Sequence, residues 1–139
     1  MILSSMQEKN LSIGVGIDIV TIHRIEKILQ DYPDRFKEFA FTKSEQEYCD
    51  AKPRPAQHYA SHWAIKEAYL KAISVQNANP DLASIKICRE PTPHIELRGE
   101  AYELLCDKGT RTPEDADIAI SMSHEQEAGL AVGILVALF

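Results

Sequence analysis

Glu67 and Lys71 stand one helical turn apart in YASHWAIKEAYLKAI, Tyr59 to Ile73, a stretch that reads as one helix. Ala60, Ala64, Ala68 and Ala72 recur there every four residues and form a small-residue stripe on which another element can pack closely. Glu67 and Lys71 fall in or beside the arc of that stripe, with Trp63 and Leu70 at its borders, so two charges sit where the helix reads as most buried. An ionised carboxylate withdrawn from water is costly unless it is paired, hydrogen-bonded or bound to a metal. The plainer alternative is a Glu67–Lys71 surface pair at a favourable spacing.

A second carboxylate, Asp18, belongs to LSIGVGIDIV, Leu11 to Val20, which alternates as a strand. Ile13, Val15, Ile17 and Ile19 share the face expected to build the core. Gly14 and Gly16 share the other face with Asp18 and leave room for a backbone or a ligand to approach beside the carboxylate. Asp18 also competes with Thr21 as a cap for the following helix. The glycine pair is not GxGxxG and does not indicate a dinucleotide. Of the basic groups, Lys52 and Arg54 in the stiff Lys52-Pro53-Arg54-Pro55 linker are candidates for binding phosphate, or simply exposed charge. His23, Arg24, Lys27, Arg35 and Lys37 form either a solvated helix face or a dock for an acidic protein.

The elements that must position these groups follow from pattern. Thr21 to about Asp31 reads as a helix with Ile22, Ile25, Ile28 and Leu29 inward, ended by Tyr32-Pro33. Phe36, Phe39 and Phe41 are expected to tuck a loop against the core. Thr42 and Glu45 have the spacing of a capping box that opens a short helix to Cys49. After Ile73, SVQNANPD reads as a loop. Ser84 to Cys88 and His94 to Leu97 are expected to pair as a hairpin, followed by a helix over Gly99 to Lys108. Ile118, Ile120 and Met122 mark a strand ending at Ser121-Met122-Ser123-His124. Gly129 to Leu138 reads as a central strand buried on both faces. No βαβ repeat emerges, so the fold class is α+β with a largely antiparallel sheet.

Composition bounds the function. The chain has 139 residues, of which 45% are hydrophobic and 26% charged, consistent with a short leader over residues 1–11 and one domain over 12–139. A net charge of −6 argues against a general nucleic-acid or anionic-membrane binder. No run approaches the roughly 18 to 20 apolar residues of a membrane span. Cys49, Cys88 and Cys106 are dispersed and lack CxxC spacing, which supports neither a disulfide framework nor a zinc site and suits a reducing cytoplasm.

GVGIDIV with Asp18, HRI at His23 to Ile25, FTKSEQEYC at Phe41 to Cys49, WAIKEAYLKA with Glu67 and Lys71, and ISMSHEQEAGLAV with His124 stand in an order and spacing that resembles the small holo-[acyl-carrier-protein] synthases. These are 4′-phosphopantetheinyl transferases, and the likeness covers roughly residues 12 to 137. It implies a 4′-phosphopantetheinyl transferase-like fold, with the sheet packed against a long central helix. It also implies transfer of phosphopantetheine from coenzyme A to a serine of an acyl carrier protein, in fatty acid biosynthesis. Asp18 and Glu67 match the family's Mg²⁺ ligands, and Mg²⁺ commonly binds one or two carboxylates together with substrate phosphate oxygens. Lys71 matches the lysine that neutralises phosphoryl or leaving-group charge. Glu67, directly or through a metal-held water, is the candidate base. His124 matches the histidine near the coenzyme phosphates, with Lys52, Arg54 and His62 as candidates for the 3′-phosphate. Lys66 is assigned to structure or phosphate binding. By the same resemblance Arg24, Lys27 and Arg35 contact the carrier protein, and the chain forms a homotrimer with interfacial active sites.

Two positions depart from the family pattern. Ser74-Val75-Gln76 stands where many members have Gly-Thr-Gly, so Ser74 borders the coenzyme with different backbone freedom. His62 stands where arginine is frequent. A non-catalytic module binding coenzyme A or a carrier protein is the rival reading from another class. A plain oligomeric scaffold with a surface ion pair is a third.

Overall fold

A computed structural model of the chain describes residues 12–73, 80–108 and 116–139. Residues 1–11, read from sequence as a leader, and Ser74-Val75-Gln76, read from sequence as a loop, lie outside the described residues. In chain order the elements are strand β1 (Ile13–Thr21), helices α1 (Ile22–Asp31), α2 (Pro33–Ala40), α3 (Lys43–Asp50) and α4 (Pro55–Ala72), strands β2 (Ile85–Cys88) and β3 (His94–Leu97), helix α5 (Gly99–Asp107), and strands β4 (Asp117–Glu125) and β5 (Leu130–Leu138). A 3-10 turn, Leu82–Ser84, precedes β2. β1, β5 and β4 form one antiparallel sheet in that order, and β2 and β3 form the expected hairpin. The α+β reading with a sheet against a long helix therefore holds.

The alanine stripe explains how α4 lies on the sheet. Ala60, Ala64 and Ala68 are fully buried and Ala72 nearly so. Opposite them the strands carry glycines. A Cβ on Gly16 would collide with the Ala68 carbonyl oxygen, and one on Gly14 with that of Ala72. One on Gly133 would lie 2.7 Å from the Ala64 carbonyl carbon. Helix backbone and strand backbone thus meet directly, and the approach that the glycines were expected to admit beside Asp18 is made by a backbone.

That packing reverses the expected faces of β1. Gly14, Gly16, Asp18 and Val20 look toward α4, whereas Ile13, Val15, Ile17 and Ile19 are 70%, 58%, 52% and 61% exposed. Alternation defines two faces but does not say which one a helix covers. A close backbone contact selects the small residues. β5 is central, yet Ile134, Val136 and Leu138 are exposed on the same outer face, so it is not buried on both faces within one chain.

Residues 33–40 form helix α2 rather than a loop, because Pro33 both ends α1 and fits the first position of the next helix. Phe36 and Phe41 pack inward, while Phe39 is exposed. The capping box of α3 is present as read: the Glu45 amide donates to Thr42 Oγ1 (3.3 Å) and the Thr42 amide to Glu45 Oε2 (2.8 Å). Neither Asp18 nor Thr21 caps α1 with its side chain.

Candidate active site

Because Gly14 and Gly16 bring β1 under α4, the carboxylate of Asp18 emerges beside the helix flank that carries Glu67 and Lys71. Lys71 Nζ donates to Asp18 Oδ1 (3.0 Å) and to the Ile17 carbonyl (3.0 Å). Among the described residues its ion pair is therefore with Asp18 and not with Glu67. Lys71 remains half exposed while Asp18 is largely covered. Burial pushes the Glu67 carboxyl above its ordinary range, and the Asp18 charge pushes it further, with Lys71 and Arg24 acting in the opposite sense. Asp18, Glu67, Lys71 and, electrostatically, Arg24 form one acidic and basic cluster open to solvent.

The most deeply buried charges are elsewhere on α4. Lys66 and His62 are fully buried, and both turn to Glu45 of α3, which is itself 1% exposed. Lys66 Nζ donates to Glu45 Oε2 (3.0 Å) and to the carbonyls of Ala40 (2.6 Å) and Leu82 (3.0 Å). All three ammonium protons are thereby used inside the protein, and Lys66 takes the structural alternative of its assignment. His62 Nδ1 lies 3.2 Å from Glu45 Oε1. Burial lowers its proton affinity against the pull of Glu45. Burial raises the Glu45 pKa, but the hydrogen bond from His62, the charge of Lys66 and the Thr42 amide outweigh it and hold the carboxyl below its usual range. His62 Nε2 is buried with no hydrogen-bond partner. It borders a cavity of about 270 Å³ also lined by Tyr48, Lys86, Cys88 and Arg89.

The remaining basic residues gather around Tyr48. The Lys52 ammonium lies 4.5 Å and the Arg89 guanidinium 4.8 Å from the Tyr48 ring centroid, and His62 stacks on it at 5.7 Å. His58 meets Tyr48 edge-on at 5.8 Å and His124 at 5.2 Å. His124 Nδ1 lies 3.4 Å from Ser61 Oγ. Burial, followed by the charges of His124, Arg89, Lys52 and His62, pulls the His58 pKa down to about 4. Tyr48, His58 and Arg89 were not anticipated. The signal for His58 was its spacing four residues before His62, whereas nothing local marks Arg89 or Tyr48. Arg54 is exposed at the N-cap of α4, and Ser74 lies outside the described residues.

The two clusters lie apart within one chain. Lys71 and Ser61, which touch Asp18 and His124, are ten positions apart on α4, about 15 Å along its axis. β5 separates β1 from β4 beneath them. Arg24 and Lys27 on α1 and Arg35 on α2 are all exposed.

The sequence profile of the 4′-phosphopantetheinyl transferase superfamily matches residues 14–133. The chain belongs to that superfamily. Within it, the chain is similar to the holo-[acyl-carrier-protein] synthase of Syntrophus aciditrophicus, at 36% identity over 128 residues, 90% of this chain and 96% of that protein. It is 37% identical to the corresponding synthase of Chlamydia trachomatis over 122 residues, 87% and 97% of the two chains. The solved structure of Helicobacter pylori holo-[acyl-carrier-protein] synthase in complex with coenzyme A superposes with a TM-score of 0.70 at 31% identity, covering 87% of this chain and 96% of that one. A Chronobacterium ammoniagenes synthase–coenzyme A complex gives 0.74 at 25% identity, covering 92% and 98%. The phosphopantetheinyl transferase fold and enzyme class are thereby established for this chain. Among the described residues no helix is long and apolar enough to cross a membrane.

Proposed function

We propose that the enzyme transfers 4′-phosphopantetheine from coenzyme A to a serine hydroxyl of an apo acyl carrier protein, releasing adenosine 3′,5′-bisphosphate, in cytoplasmic fatty acid biosynthesis. The observation that carries the reading is the juxtaposition of Asp18, Glu67 and Lys71 at one solvent-open point.

Asp18 and Glu67 suit Mg²⁺: both offer hard oxygen ligands, and the like charge of Asp18 raises the proton affinity of Glu67, a repulsion that a divalent cation relieves. Held by Asp18 and Glu67, Mg²⁺ would supply neutralisation of the charge developing on the phosphates. The serine oxygen forms the new bond to the β-phosphorus as the bond to the bridging pyrophosphate oxygen breaks. Glu67, directly or through a water, takes the serine proton. Lys71 is poised to shift from Asp18 to the phosphoryl or leaving-group oxygens.

The Lys52 ammonium and the Arg89 guanidinium at Tyr48 supply the positive surroundings for the coenzyme phosphates, with His124 nearby as a hydrogen-bonding group. Its separation from Asp18 supports a site completed between copies of the chain, and the exposed outer face of β1 and β5 offers the apolar surface for a homotrimer. Arg24, Lys27 and Arg35, exposed on α1 and α2, would meet an acidic carrier.

The test is intact-protein mass spectrometry of apo acyl carrier proteins, the fatty-acid carrier among them, incubated with the enzyme and coenzyme A with Mg²⁺ or with chelator. A metal-dependent gain of one phosphopantetheine is expected. No gain across the panel despite coenzyme A binding would favour a non-catalytic module.

A further inference from the structure

The hairpin of β2 and β3 has a second chemistry. Its register pairs Ile85 with Leu97, Lys86 with Glu96, Ile87 with Ile95 and Cys88 with His94. Alternation sends Ile85 and Ile87, both buried, to the core. Lys86, Cys88, His94 and Glu96 consequently share the opposite face. On it one potential ligand atom each from Cys88, His94 and Glu96 lie within 4.8 Å of one another. We propose that these three side chains form a binding site for a thiophilic divalent cation of the Zn²⁺ class.

Four features favour a cation. The donor set, one thiolate, one imidazole and one carboxylate, suits a borderline-soft ion and leaves a fourth tetrahedral position for water. With Zn–S near 2.3 Å and Zn–N near 2.0 Å, the ligand atoms of a tetrahedral site with one sulfur stand about 3.3 to 3.6 Å apart. Closing from 4.8 Å thus takes side-chain movement of about 1.2 to 1.5 Å. His94 Nδ1 lies 2.7 Å from the Thr92 carbonyl. Donation to that oxygen fixes the tautomer and leaves the Nε2 lone pair for a metal, the usual arrangement of a ligating histidine. Finally, the two cations that neighbour Glu96, Lys86 and Arg98, both lie on Oε2, at 3.5 and 3.3 Å, so Oε1 is not claimed by either.

Binding forms bonds from sulfur, nitrogen and oxygen to the ion and releases the Cys88 thiol proton to solvent. The absence of CxxC spacing did not forbid such a site, because β-pairing supplies the proximity that local spacing lacks. It stands apart from Asp18 and Glu67, whose all-oxygen ligands would hold a hard ion without sulfur.

Co²⁺ titration of the full-length enzyme separates the two. Thiolate coordination gives an intense near-ultraviolet sulfur-to-cobalt charge-transfer band that oxygen ligands cannot produce. The band is expected in the wild-type protein and in Glu67→Gln, and absent in Cys88→Ser. Competition with a chromophoric chelator should show one Zn²⁺ held about tenfold or more tighter by the wild type than by Cys88→Ser or His94→Gln, with far-ultraviolet circular dichroism confirming that each variant is folded. Absence of the band in the wild type, its persistence in Cys88→Ser, or equal Zn²⁺ affinity in wild type and both variants would overturn the site.

Discussion

Lys71 Nζ lies 3.0 Å from Asp18 Oδ1, a bond that crosses from α4 to β1 and joins residues 53 positions apart in the chain. The same lysine could have paired with Glu67 one turn earlier on its own helix. By turning to Asp18 it neutralises one carboxylate and leaves the other with its proton affinity raised. A surface i,i+4 pair with Glu67 would have contributed only about 0.2–0.5 kcal/mol, so little helix stability is given up by the turn to Asp18.

Replacing Glu67 by Gln should remove the candidate base and one oxygen ligand while keeping the side-chain volume. Carrier modification, followed by mass spectrometry, is expected to fall by about 100-fold or more. The melting temperature should not drop, because the carboxylate being removed is destabilised by burial and by Asp18. A variant that turns over at the wild-type rate would remove Glu67 from the chemistry.

The Glu45–Lys66 pair carries the opposite expectation. Truncating one partner leaves an uncompensated buried charge, which costs about 3–5 kcal/mol. Lys66→Met additionally strands the Ala40 and Leu82 carbonyls that the ammonium now serves. Urea denaturation should show both Lys66→Met and Glu45→Gln strongly destabilised, and the double variant less destabilised than the sum of the two. Additive losses would mean that the pair is not coupled.

Acid should weaken the fold through the same region. His58 is held at about 4 against an ordinary 6.5, and His62 is also lowered. The unfolded chain therefore binds more protons than the folded one as pH falls from 6.5 towards 4, and stability declines across that window. Glu45, whose pKa is lowered on folding, acts in the same direction once pH falls below its ordinary value of 4.5. Melting temperatures between pH 7.5 and 4.5 should fall steadily, and His58→Gln should flatten the slope. An equally steep decline in that variant would place the titration elsewhere.

Much of this architecture is written locally. The four alanines define the buried stripe of α4, Thr42 and Glu45 spell their capping box, and alternation delimits the strands. What local pattern does not hold is which surface meets which. Ile13, Val15, Ile17 and Ile19 are more apolar than the glycine face and read as core, yet the glycines alone permit contact with the α4 backbone. Likewise the helical wheel put Glu67 and Lys71 in the buried arc. The fully buried pair proves to be His62 and Lys66, whose partner Glu45 lies 17 and 21 positions earlier. Asp18, Glu67, Lys71 and His124 were readable as motifs, but their division into two groups on either side of α4 depends on strand order.

That division and the misread face lead to one experiment. Val15 and Val136 are cross-strand partners on the outer sheet face, 58% and 38% exposed in the single chain. Cross-strand apolar pairs in the open contribute little to one chain, so Val15→Glu should leave the melting temperature of the isolated subunit within a few degrees of the wild type. If copies of the chain cover this face, the same change buries an unpaired carboxylate in the contact and should dissociate it. Light scattering coupled to size exclusion should then report a trimer for the wild type and a monomer for Val15→Glu. Carrier modification should be lost together with assembly if, as proposed, the site is completed between copies of the chain. A wild-type monomer with full activity would require both clusters to act within one subunit.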